Sequence, residues 1–184
     1  MQVNRFEIDG PLVLTPGRHA DDRGWFAETF RADCFQAEIG PASFVQHGRS
    51  RSNLKGTVRG LHFQVEPAAQ GKLIQVLRGR IFDVAVDLRS TSPTYRRHVA
   101  VDLSADDGRQ LWLPVGFAHG FCTLEDDCEV AYMMTDYYSV EHERGLRWND
   151  PALGIQWPVQ ADRAILSARD GQHPLLADRA TEFF

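Results

Sequence analysis

The sequence predicts a mainly β fold, an antiparallel sandwich or jelly roll with a few short helices. Three observations carry that expectation. From Phe44 onward apolar residues recur at alternate positions in short runs, the period of a strand with two unlike faces. Gly, Pro and Asp clusters separate the runs at regular spacing, as in sandwiches and barrels of many short strands. Helical signal is sparse: residues 32–39 read as one short helix, and Gly40-Pro41 ends it.

Taken in order, residues 6–14 read as a strand broken by Gly10-Pro11. Asp21-Asp22-Arg23-Gly24 is a turn signal, followed by Trp25-Phe26-Ala27-Glu28-Thr29-Phe30. Residues 47–59 read as a loop carrying Arg49, Arg51, Lys55 and Arg59 with no acidic residue. Residues 72–77 and 81–88 read as strand partners joined by the tight turn Arg78-Gly79-Arg80. In the second of these, Phe82, Val84, Val86 and Leu88 share one face, and Asp83, Ala85 and Asp87 the other. Val99, Val101 and Leu103 alternate likewise, as do Val130, Tyr132 and Met134. Between them lie strands at 111–113 and 117–124, separated by a Pro-Val-Gly turn. From about Gly145 the pattern weakens into a wrapping segment with one short helix. The whole is expected to be a single domain, 1–184, with the jelly-roll core at about 44–140 between an N-terminal strand segment and this C-terminal wrap.

Composition excludes several classes. A net charge of −5 gives no reason to expect nucleic-acid or membrane-surface binding. No apolar run is long enough to span a bilayer, and the first residues lack a signal-peptide hydrophobic region. Cys34, Cys122 and Cys128 have no disulfide-like or CxxC spacing, which fits a reducing compartment. The expected location is cytoplasmic.

The chemical centre of the sequence is Val58-Arg59-Gly60-Leu61-His62-Phe63-Gln64. Histidine moves a proton readily near neutral pH. A lone histidine in an apolar strand is equally well read as a hydrogen-bonded core residue. Gly56 with five residues before His62, and Pro114-Val-Gly116-Phe-Ala-His119, resemble the two motifs of the cupin superfamily of jelly rolls. A metal-binding cupin needs a second histidine where Gln64 stands, and a carboxylate near where Lys72 stands. A protonated lysine repels a divalent cation, and glutamine is a weak ligand for zinc or iron. His62 and His119 could still share a metal. The sharper reading is a cupin whose metal site is replaced by acid–base residues, with no metal and no cofactor.

A wider set of strings is similar to the dTDP-4-dehydrorhamnose 3,5-epimerase family. It comprises Arg59-Gly-Leu-His62-Phe-Gln, Gly71-Lys72-Leu, Phe82-Asp-Val-Ala-Val-Asp-Leu-Arg89, Ser92-Pro-Thr, Leu111-Trp-Leu-Pro-Val-Gly-Phe-Ala-His-Gly-Phe121, Thr135-Asp-Tyr-Tyr138 and Trp148-Asn-Asp-Pro151. The resemblance extends from Asp22-Arg-Gly to Pro174-Leu-Leu. It implies a nucleotide-linked 4-keto-6-deoxy sugar as substrate, dTDP-4-keto-6-deoxyglucose. Its C3 and C5 protons lie α to the ketone, so a base can remove them if the enolate is stabilised.

The resemblance also implies roles. His62 is the base, and Asp170, otherwise a turn residue before Gly171, fixes its tautomer. Tyr132, otherwise a core tyrosine, is the acid on the opposite face, and Lys72 stabilises the enolate. Arg59 and His119 hold the diphosphate or ring. Arg23, Phe26 and Glu28 match the nucleotide-contacting N-terminal segment, Tyr138 the base-stacking residue, and Glu143 and Arg169 further binding positions. Gln46 belongs to a loop, Phe44-Val-Gln46-His47-Gly48, in which the family often has asparagine where this chain has Gly48. A homodimer with shared sites is implied, because the family's N-terminal segment crosses to its neighbour. Two alternatives remain: an epimerase inverting C3 or C5 only, in another deoxysugar pathway, and a sugar-binding or metal-dependent cupin without epimerase activity.

Overall fold

The computed structural model describes residues 1–179 and 184. The chain forms β1 (Gln2–Arg5), β2 (Leu12–Thr15), β3 (Arg18–Asp21), β4 (Gly24–Ala27), α1 (Ala32–Glu38) and β5 (Gln46–Ser52). There follow β6 (Val58–Gln64), β7 (Lys72–Arg78), β8 (Arg80–Asp87) and β9 (His98–Ser104). The series closes with β10 (Gln110–Leu113), β11 (Phe117–Thr123), β12 (Cys128–Met134) and β13 (Glu143–Gly145). One sheet runs β1-β2-β10-β7-β12-β5 and the other β13-β6-β11-β8-β9, while β3 and β4 form a separate hairpin. Every strand pair is antiparallel. This is the expected cupin-like jelly roll.

Between the sheets Ile74, Val76, Ile81, Ala85, Leu111, Leu113, Phe121 and Val130 form the main core. Burial at this scale is the dominant favourable contribution to such a fold. Outside the six-stranded sheet, Phe35 of α1 packs with Phe30, Phe44 and Trp112, ring centres 5.1–5.8 Å from Phe35. That explains why a seven-residue helix without a side-chain cap persists: tertiary packing, not propensity, holds short helices.

Four sequence expectations are corrected. The strand expected at 6–14 begins only at Leu12, because Gly10 takes φ +125 beneath the Phe117 ring and turns the chain there. Strands β7 and β8 are not hairpin partners: they lie in opposite sheets, and Gly79 (φ +76) carries the chain around the barrel corner. The cationic loop is largely strand β5, whose alternation turns Arg49 and Arg51 outward onto Glu129 and Asp127. The C-terminal segment has three short 3-10 turns, Pro151–Leu153, Asp170–Gln172 and Leu176–Arg179, in place of one helix.

The β8 alternation is present but both faces are covered. Val84, Val86 and Leu88 look outward and are sealed by Leu146, Leu153 and Leu176 of the C-terminal segment. The face with Asp83 and Ala85 looks between the sheets. Asp87, fully buried, accepts from Arg89, Ser92 and Thr94, which gives the Ser92-Pro-Thr string a structural role.

Candidate active site

A cavity of about 340 Å³ opens between the sheets at one end of the barrel. Polar side chains reach it because alternate positions on its strands point inward: Lys72 on β7, His119 on β11, Tyr132 on β12, and Arg59, His62 and Gln64 on β6. Arg59 and His62 are three residues apart and would face opposite sides of a regular strand. Opposite them β11 advances only from Phe121 to His119, so β6 holds a bulge with Gly60 inside it at φ +120. The bulge turns both side chains into the cavity. A Cβ at residue 60 would sit 2.6 Å from Gly120 Cα and from the His119 carbonyl oxygen. Gly60→Ala is therefore expected to cost about 1–3 kcal/mol in urea unfolding and to lower activity with it. Unchanged stability would show that the bulge tolerates a side chain.

His62 Nε2 lies 2.5 Å from Asp170 Oδ1. Burial pushes the Asp170 carboxyl up, but His173 and His62 beside it, with Ser167, outweigh this and hold it well below the usual range. It is thus an anion that fixes the orientation and tautomer of the imidazole. His119 Nε2 is 2.7 Å from Asp83 Oδ1, so the two cavity histidines, cross-strand neighbours, each have their own carboxylate. On the facing sheet, Tyr132 shares a 2.8 Å hydrogen bond with Ser50, and burial pushes its phenol up to about 12. It therefore holds its proton at neutral pH. Burial lowers the Lys72 ammonium to about 8, against the opposing pull of Glu143 and Asp83.

At the cavity mouth Tyr138 donates to Glu143 at 2.5 Å, and Arg169 reaches the same carboxylate at 2.6 Å. Gln46 is outside the lining but accepts from the Tyr138 N–H at 2.7 Å. Arg59 bonds Ser52 and the Arg51 carbonyl and makes no ion pair among the described residues, which leaves its charge available to an anion. Arg23, Phe26 and Glu28 do not line the cavity. They lie on or beside the exposed β3–β4 hairpin, where Phe26 is 68% and Trp25 60% accessible.

Sequence reasoning missed several members. Ser50 anchors Tyr132, Asp83 anchors His119, and His173 stands beside Asp170. Gln64, considered only as a lost metal ligand, uses its whole amide. It donates to the Ala68 and Tyr137 carbonyls and accepts from the Ser139 N–H, tying down the segment that carries Tyr138. Asp83 alone had a signal, as a charged residue on the second face of an alternating strand.

A jelly roll whose cavity sets a carboxylate-bound histidine on one sheet opposite a protonated tyrosine and a lysine on the other is a cupin-type isomerase working by proton transfer. Residues 5–178 match the family model described as dTDP-4-dehydrorhamnose 3,5-epimerase. The chain belongs to the dTDP-4-dehydrorhamnose 3,5-epimerase family. It is 48% identical over 183 residues to the dTDP-4-dehydrorhamnose 3,5-epimerase of Sinorhizobium fredii, covering 100% of this chain and 93% of that one. The crystal structure of the Legionella pneumophila dTDP-6-deoxy-D-glucose-3,5-epimerase, in complex with dTDP-4-keto-L-rhamnose, superposes with a TM-score of 0.91 at 42% identity, over 96% of this chain and 93% of that one. A dTDP-4-dehydrorhamnose 3-epimerase of Streptomyces niveus is 35% identical over 97% of this chain and 85% of its own.

Proposed function

We propose that the protein inverts C3 and C5 of dTDP-4-keto-6-deoxy-D-glucose to give dTDP-4-keto-L-rhamnose, in dTDP-L-rhamnose biosynthesis. The observation that carries this reading is the placement of His62 and Tyr132 on facing sheets of one cavity. His62 takes the proton from C3 or C5. The C–H electron pair moves into the ring, and the negative charge settles on the C4 oxygen beside the Lys72 ammonium. Tyr132 returns a proton to the same carbon from the other side, which inverts it. Redox state is unchanged throughout. Arg59 suits the diphosphate, since a guanidinium fork matches phosphate oxygens, with His119 on the ring or diphosphate. Tyr138, positioned by Gln46 and held with Glu143 and Arg169, offers a face for the nucleobase.

Arg23, Phe26 and Glu28 complete the nucleotide grip from a neighbouring subunit. What supports this homodimer is the exposure of the β3–β4 hairpin, where Phe26 and Trp25 present a large apolar surface to solvent. The described cysteines are all free, in keeping with a reducing cytoplasm. No helix among the described residues is long and apolar enough to cross a membrane.

Incubation with dTDP-4-keto-6-deoxyglucose in deuterated water tests the reading. Deuterium at both C3 and C5 with an L-configured product is expected. Label at one carbon only would establish the second reading, a single-site epimerase, for which the Streptomyces niveus relative is the specific reason. Higher identity to the double epimerases favours the first. Tyr132→Phe is expected to leave wash-in of solvent deuterium largely intact while inversion falls on the order of 10²-fold, the usual reach of a general acid. An equal fall in both would make Tyr132 a binding residue.

A further inference from the structure

His173 takes no part in the chemistry above, yet it is built into the wall behind the base. Its ring packs on Gly145, the β13 partner of His62, where any Cβ would overlap it. Its backbone carbonyl accepts from Arg147 Nε at 3.1 Å, and the next carbonyl accepts from the Arg147 N–H. The residue is only 8% exposed. Its Nε2 is fully buried without a hydrogen-bond partner, 3.5 Å from Asp170 Oδ1. A buried imidazole nitrogen left unpaired is costly and calls for an explanation. The His62 ring stands edge-on to it at 5.5 Å.

We propose that His62, Asp170 and His173 form a site for a divalent transition cation, best filled by Zn2+, and that its occupancy silences the base. One donor atom from each of the three residues lies within 4.8 Å of the others. Two imidazoles and one carboxylate are a common zinc donor set, with bonds of about 2.0–2.2 Å. Tetrahedral bonds of that length place ligand atoms about 3.3–3.5 Å apart. The 3.5 Å between His173 and Asp170 already fits. The 2.5 Å between His62 and Asp170 opens as the metal replaces the proton they share. The fourth position is left to water. Lys72, which repels a cation at the usual cupin position, is on the facing sheet, whereas these ligands come from β6 and the Asp170–Gln172 turn with its following residue. The metal is here an inhibitor: once His62 is a ligand, its basicity is spent on the ion.

The test is titration of the full-length, substrate-free protein with Co2+ and then Zn2+. Expected are one ion per chain, visible cobalt bands of a low-coordinate site, and zinc-induced ring-nitrogen NMR shifts confined to His62 and His173 among the seven histidines. His173→Gln, shown to be folded by circular dichroism, should weaken binding by on the order of 10–100-fold or more. Zinc should abolish deuterium exchange in the unsubstituted protein, and a chelator should restore it. Absence of binding, shifts at other histidines, binding undiminished in His173→Gln, or exchange unaffected by bound zinc would each overturn the proposal. The NMR arm needs no variant, so a misfolded His173→Gln would not shield the idea. Binding is measured without substrate, so its failure is separate from any failure of the epimerase reading.

Discussion

His62→Ala is expected to abolish exchange of the sugar's α-protons with solvent, a fall of about 10²–10⁴-fold, while fold and assembly persist. The loss follows from geometry. Among the cavity groups only His62 combines a ring nitrogen with an anionic carboxylate at 2.5 Å on the wall opposite Tyr132. His119 is no substitute, because its ring meets the Tyr132 ring edge-on at 6.4 Å, which leaves no room for a sugar between it and the acid it would need to oppose. Persistence of the fold follows from exposure: the His62 side chain is 33% accessible and is not part of the apolar clusters. Mass spectrometry of recovered sugar nucleotide after incubation in deuterated water, with circular dichroism as control, reads both halves. Substantial remaining exchange would place the base elsewhere.

Lys72→Ala is expected to lower turnover by about 3–4 kcal/mol of transition-state stabilisation, a few hundred-fold. A cation fixed where the enolate oxygen develops needs no reorganisation at the moment of reaction. The Lys72 ammonium makes no hydrogen bond or ion pair among the described residues and feels only the more distant pull of Glu143 and Asp83, so it is available to an oxyanion. The pH dependence has a definite sign. Burial lowers its ammonium to about 8, so the group is charged below that pH and neutral above it. Only the charged form stabilises an oxyanion. The kcat/KM of the unsubstituted protein, which reports the free enzyme, should therefore fall as pH rises through about 8. Lys72→Ala should lose that alkaline limb together with its rate. A variant that kept the limb would assign it to another group.

Much of the site was legible before any fold was known, and the reasons are local. His62 stands out as a titratable ring in an apolar strand, where an unserved polar group is expensive, whereas Lys72 and Tyr132 took their roles from the family likeness. Asp170 was legible only through family likeness: Asp-Gly at that point reads locally as a turn, and nothing nearby announces a histidine 108 residues away. His173 and Ser50 were illegible for the same reason. Each acquires its role from a group on a distant element.

The sequence by itself determined the strands from β7 to β12, which residue types can move protons or hold a diphosphate, and the family. Those follow from nearest-neighbour chemistry: a period of two, turn residues, and side-chain ionisation. Tertiary structure alone decided which face of each strand looks inward. Val84 and Val86 form an apolar face that lies under the C-terminal wrap, while Asp83, on the other face, looks between the sheets and holds His119. Alternation distinguishes two faces but not what covers them, because the cover arrives from residues far along the chain. The Gly60 bulge, the crossing of β7 and β8 into opposite sheets, and the carboxylate behind each histidine belong to the same class. They depend on closing long loops against one another, which no local pattern records.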